Sequence, residues 1–244
     1  MGGEPLDSSL HVALFAHHVV RPESELDLGQ AALLIAAPEY PDLQIEETLH
    51  QLDLLAEAAR PSLTGLVEGT ARGAALVQYL VDEQGFRGNT DAYDDPRNSF
   101  LNEVLTRRLG IPISLSVVAM EVARRLNVPL RGVSFPGHFL LRADGKHSVL
   151  IDPFTGRAMT TSSLADLIAR VYGQRRPPRP EEVQAAPKHA ILSRMLANLR
   201  NLYLQRGDIG RQRLAEDRIR AIEVALRHMP SGGEPAPQRG GTLH

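Results

Sequence analysis

GIPISLSVVAMEVARRLNVPLRGVSFPGHFLLRADGKHSVLIDPF, residues 110–154, is the stretch that decides the fold. Its first part has helical period: from Leu115 to Leu126, Val118, Val122 and Leu126 fall on one side. Asn127-Val128-Pro129 ends that element, because the residue before a proline is driven out of helical geometry. The period then changes. Arg131 to Phe135, His138 to Arg142 and Ser148 to Phe154 are short, rich in Val, Ile and Phe, and separated by Pro136-Gly137 and Asp144-Gly145. They read as strands, the last two as an antiparallel hairpin. A helix followed by a small antiparallel sheet is an α+β arrangement.

A helix start, then a His opening one strand, then an Asp closing the next, is the order in which a Cys-His-Asp thiol site is built. Here His138 and Asp152 hold the last two places, and the chain has no cysteine. The helix start offers Pro112, Ser114 and Ser116 instead. The hairpin admits two registers. A two-residue turn at Asp144-Gly145 sets His138 opposite Ile151 and turns Asp152 to the other side. A five-residue loop from Ala143 to His147 sets His138 opposite Asp152, where the carboxylate fixes the imidazole tautomer and readies its other nitrogen for a proton. Ordinary turn chemistry also accounts for a His after Gly and an Asp before Pro.

Composition narrows the classes. A chain of 244 residues buries a full core without staples, and zero cysteine excludes disulfides, thiolate metal sites and thiol catalysis. A net charge of −2 gives no global field for nucleic acid or an anionic membrane. MGGEPLDSS has no basic region leading into an apolar core, and no apolar run approaches the roughly 20 residues of a membrane span, so the expected location is the cytoplasm. His11, His17 and His18 have no matching acidic motif, so no metal or cofactor is expected.

Upstream, helical stripes run over about 8–20, 26–36 and 45–60, with a further helix from Leu66 to Gln84. Asp94-Asp95-Pro96-Arg97-Asn98-Ser99 is dense in turn and capping residues, with Asn98 or Ser99 as N-cap of a helix from Phe100 to Leu109. Downstream, a helix after Ser163 gives way to the Pro and Arg-rich stretch 175–186, read as an extended linker. Two helices follow over 187–230, turning at Gly207-Asp208, and 231–244 reads as disordered. One helical pair cannot bury its own face, so it is expected to pack on the main domain, 8–174.

DPRNSFLNEVL (95–105), RRLGIPISLSVVAMEVARRLNVP (107–129), VSFPGHFLLR (133–142), IDPF (151–154) and AILSRMLANLRNLYLQRGD (190–208) resemble the SirB-type transglutaminase-like family with a tetratricopeptide-like tail. The resemblance implies a papain-like α+β core, a helix packed on a small antiparallel sheet, with N-terminal helices and a C-terminal helical pair. It places the nucleophilic cysteine of active relatives on Pro112, and the catalytic His and Asp on His138 and Asp152. Proline suits the first helical turn, where an N–H is missing anyway, but it cannot attack a substrate. Ser114 is the nearby substitute, two residues on and therefore about 200° around the helix. The block Asp95-Pro96-Arg97-Asn98-Ser99 reads as a structural clasp of caps and turns; the alternative has Arg97 meeting an acidic ligand at the cleft, with Asn98 and Gly137 as further binding candidates. The expected function is a non-catalytic binding, regulatory or scaffold module whose C-terminal helices meet a protein partner. The alternative is a hydrolase or acyl transferase using Ser114, or a water activated by His138 with Asp152.

Overall fold

The structure, a computed structural model, describes residues 8–228; the tail 231–244 lies outside them. Four helices come first: α1 (Ser8–Val19), α2 (Leu28–Ala36), α3 (Ile45–Ala59) and α4 (Gly69–Asp82). Carboxylates cap two of them. Asp27 accepts the Gln30 N–H at 2.8 Å and Glu68 the Ala71 N–H at 2.8 Å, each meeting one of the unpaired donors of a first helical turn. A two-residue strand β1 (Arg87–Gly88), helix α5 (Leu101–Arg107) and strand β2 (Leu109–Gly110) lead into α6 (Pro112–Arg125). Strands β3 (Leu130–Val133), β4 (Leu140–Ala143), β5 (Val149–Asp152) and β6 (Arg157–Ala158) follow, then α7 (Thr161–Tyr172), α8 (Lys188–Arg206) and α9 (Ile209–His228). No helix of the described residues is long and apolar enough to cross a membrane.

Helix α6 is the axis of the molecule. Every residue from Pro112 to Ala123 is buried, and α2, α3, α4, α5 and α8 all pack on it together with the sheet. Glu121 is buried in this apolar helix because it is paired, accepting from Arg124 at 2.9 Å and Arg125 at 2.8 Å, while Arg125 reaches Asp53 of α3. The helix ends as the sequence suggests: Asn127 takes the left-handed conformation (φ 51°), which Asn tolerates better than most residues.

The four-stranded sheet runs in the order β3-β4-β5-β6, antiparallel throughout. Strand alternation sends Leu141, Ala143 and Ile151 into the main core with α6, and Leu140, Leu150 and Val133 into a smaller cluster with Leu164 and Ile168 of α7. The hairpin register is neither of the two expected. Ala143 pairs with Val149 and Arg142 with Leu150, so the five-residue loop is Asp144–Ser148. Loop contacts made from far away hold it there: Glu68 accepts the Lys146 N–H at 3.0 Å, and Thr70 donates to the His147 carbonyl at 2.8 Å.

A second, parallel pairing joins β1 to β2, with Gly88 opposite Gly110. The Gly88 N–H donates to the Phe154 carbonyl at 3.1 Å, and a Cβ on Gly88 would overlap the Phe154 ring. The stretch 175–186, expected as an extended linker, runs against the sheet. Ala186 donates its N–H to the Gly132 carbonyl at 2.8 Å and Val183 accepts from Arg142 at 2.7 Å. Beyond it, Ile191, Leu192, Met195, Leu196, Leu199 and Tyr203 of α8 and Ala215, Ile222 and Ala225 of α9 belong to the main core. The helical pair completes that core.

Gly88→Ala is expected to cost about 1–3 kcal/mol through overpacking, a fall of roughly 3–10 °C in melting midpoint. Gly210→Ala, where a Cβ meets only Asp208 at 3.8 Å, should leave the midpoint unchanged or slightly raised. Circular dichroism melts of the two variants check this. A chain ending at residue 186 should lose its cooperative melt and aggregate; a monomeric, cooperatively melting truncation would show a core complete without α8 and α9.

Candidate functional site

His138 lies two residues before β4, in the turn that follows Phe135-Pro136-Gly137, and its N–H donates to the Phe135 carbonyl at 3.1 Å. Extending the β4–β5 register sets it level with Phe154, so Asp152 is its diagonal neighbour. The observed register differs from the five-residue-loop alternative by two, an even number, and keeps the two residues on one face. The imidazole Nε2 meets Asp152 Oδ1 at 2.9 Å. Asp152 also accepts from the Phe154 N–H at 2.9 Å and the Thr155 hydroxyl at 3.1 Å, an Asx-type turn that fixes the carboxylate before it meets the ring.

The electrostatics favour an ionised Asp152. Burial alone raises a carboxyl pKa, but the hydrogen bonds from His138, Phe154 and Thr155 outweigh it and hold Asp152 below its ordinary 3.8. An anionic carboxylate only accepts, so Nε2 carries the hydrogen and Nδ1 keeps its lone pair, with no bond to it among the described residues. With the ring 21% exposed, this is an imidazole oriented by a carboxylate and partly open to solvent.

The helix start supplies no partner for it. Pro112 is the first residue of α6, after Ile111 in extended geometry. Ser114 is fully buried, and its hydroxyl is committed to backbone: it faces the Asn98 carbonyl at 2.6 Å and the Ile111 carbonyl at 3.1 Å, and accepts the Ile111 N–H at 3.1 Å. Ser114 therefore sits as a helix-cap residue whose hydroxyl is taken up by backbone groups. Ser116 is equally enclosed, its hydroxyl without a partner.

The three residues named for binding have these surroundings in the structure. Arg97 is paired with Asp95, Nη2 to Oδ2 at 2.7 Å. Asn98 is fully buried and satisfied, donating to the Ala92 carbonyl at 2.7 Å and the Tyr93 carbonyl at 3.1 Å and accepting from Asn89 at 2.9 Å. Gly137 has φ 69° and a Cβ there would strike Val171 of α7, so its role is conformational. Sequence reasoning missed Asn89 and Thr155. The D-P-F-T spacing of residues 152–155 was the available sign of the Thr155 bond. Among the described residues no group of three or more His, Asp or Glu side chains is placed to hold a metal ion.

A family model described as the transglutaminase-like superfamily matches residues 46–197, a span that runs from α3 through the His138–Asp152 hairpin into α8. The chain belongs to the transglutaminase-like superfamily. Relatives of this transglutaminase-like chain include a UPF0162 protein of Xylella fastidiosa (strain 9a5c), 40% identical over 225 residues that cover 89% of this chain and 77% of the relative. A UPF0162 protein of Pseudomonas aeruginosa is 39% identical over 181 residues, covering 74% and 66%. F-box only protein 21 of Mus musculus is 35% identical over 148 residues, 54% of this chain and 22% of that protein. No solved structure matches the chain.

The depressed Asp152 pKa sets a pH signature. The charged form gains in the folded state, so its contribution is fully present above 3.8 and is lost as pH falls through the lower folded value. Wild type is expected to exceed Asp152→Asn in urea-melt stability at pH 6, with the gap closing as pH falls below 3.8. A gap that stays constant between pH 3 and 6 would refute the assignment.

Proposed function

We propose that this chain is a non-catalytic transglutaminase-like protein of the SirB type, a cytoplasmic binding module that uses its retained His-Asp frame and its tetratricopeptide-like C-terminal helices to hold a protein partner. The observation that carries the reading is the start of α6, where Pro112 takes the first helical position and the Ser114 hydroxyl is closed by backbone on three sides. A papain-like reaction needs a nucleophile there, and the residues present supply none. The matched stretch in F-box only protein 21 makes up 22% of that protein, so there the domain is one part of a much longer chain, which fits a portable module.

A second reading keeps some chemistry. With Nε2 held by Asp152 and Nδ1 unpartnered, His138 has the orientation of a general base for water, which would make the chain a hydrolase without a covalent intermediate.

The two readings part in one assay. Hydrolysis of p-nitrophenyl acetate and of a γ-glutamyl anilide, and incorporation of a labelled amine into a glutamine peptide, are measured for wild type and His138→Ala. Equal rates for the two proteins are expected. Turnover that disappears in His138→Ala would overturn the non-catalytic reading.

A further inference from the structure

Arg194 of α8 lies against the turn that carries His138. Its Nη1 donates to the Ser134 hydroxyl at 2.8 Å and contacts the Phe135 carbonyl, which also accepts the His138 N–H, at 3.5 Å. The guanidinium sits 5.7 Å from the centre of the Phe139 ring. No carboxylate among the described residues pairs with it, and its Nε and Nη2 have no hydrogen-bond partner there. Burial lowers its pKa, and the nearby Tyr93 works the other way. A half-buried arginine with two free donors and no counter-ion is set to receive an anion.

The same face of α8 continues from it. Asn198, Asn201 and Gln205 lie at successive turns beyond Arg194 and form one wall of a cleft of about 160 Å³, facing Tyr93, Asp94, Asp95, Ser99 and Ile111, the residue that caps α6. The amides of Asn198 and Gln205 have no partner among the described residues, and Asn201 uses only its oxygen, on Arg200. Side-chain amides offer donor and acceptor together, the combination that the backbone of an extended peptide presents at each residue. From Arg194 to Gln205 the helix rises about 16 Å at 1.5 Å per residue, the length of roughly five extended residues. The family match ends at residue 197, so most of this wall lies outside the matched domain.

We infer that the groove between α8 and the 93–111 segment binds an extended peptide whose acidic side chain is held by Arg194 beside the His138 turn. This rests on the binding reading above and names its ligand. Asp94 and Asp95 on the far wall, the latter paired with Arg97 and Arg107, disfavour a second acidic residue toward the Gln205 end, which gives the peptide a direction.

The test uses the full chain, labelled with nitrogen-15, titrated with acetyl-Ala-Glu-Ala-Ala-amide, its Gln counterpart, and sodium acetate. The Glu peptide should shift the Arg194 Nε–H and the Asn198, Asn201 and Gln205 side-chain amides together. It should bind at least about tenfold tighter than the Gln peptide, an advantage lost in R194Q; N198A should weaken both peptides alike. If R194Q fails to fold, the Glu against Gln difference in wild type and N198A carries the test. Peptides that leave the α8 amides unmoved, or acetate that matches the Glu peptide, would overturn the inference. A His138-dependent turnover would instead strike the non-catalytic reading and leave the groove standing.

Discussion

The backbone at Gly88 holds the molecule's two halves in register. One side of this residue pairs with Gly110, immediately before α6, and its N–H bonds the Phe154 carbonyl, two residues past Asp152. The start of the central helix and the strand that ends in Asp152 are thereby tied to the two peptide units that flank Gly88, and only a residue without a Cβ lets the Phe154 ring close over it. Tyr93 then tilts against Phe154 at 6.1 Å, carrying the constraint to the wall of the α8 groove.

Around that point the polar groups are largely paired with one another and with backbone. Asn98 draws Asn89, Ala92 and Tyr93 inward and lends its carbonyl to Ser114, so the residues that resemble a site at the helix start are the clasp that shapes it. His138 and Asp152 stand apart from this clasp, oriented toward each other and half open. The bonds that orient the pair come from Phe154 and Thr155 and do not pass through position 112.

Much of this was legible from residues alone. The change of period at Asn127, the break at Pro136-Gly137 and the stripe of α8 each follow from local rules, and the elements stand within a few residues of where those rules put them. The N-cap of α5 was misplaced because Asn98 is drawn by Asn89, nine residues away, so the helix begins at Leu101 with Phe100 before it. The hairpin register was unreadable for a similar reason: several loops suit Ala143 to Ser148, and Glu68 and Thr70 choose among them from more than 70 residues upstream. Arg194 gave no local signal either, since its neighbours at Ser134 and Phe139 lie across a stretch that reads as a linker.

The two ends of the described chain are stitched to each other. His189 bonds the Val19 carbonyl at 2.8 Å, Lys188 meets Glu23, and Arg218 reaches the Ile35 carbonyl, partners separated by 165 to 183 residues. On a ribosome adding about 5–20 residues per second, α1 waits roughly 10–40 s for the helices that cover Phe15 and Val19. Until then α1 has α2 to pack on but lacks the cover that α9 gives it.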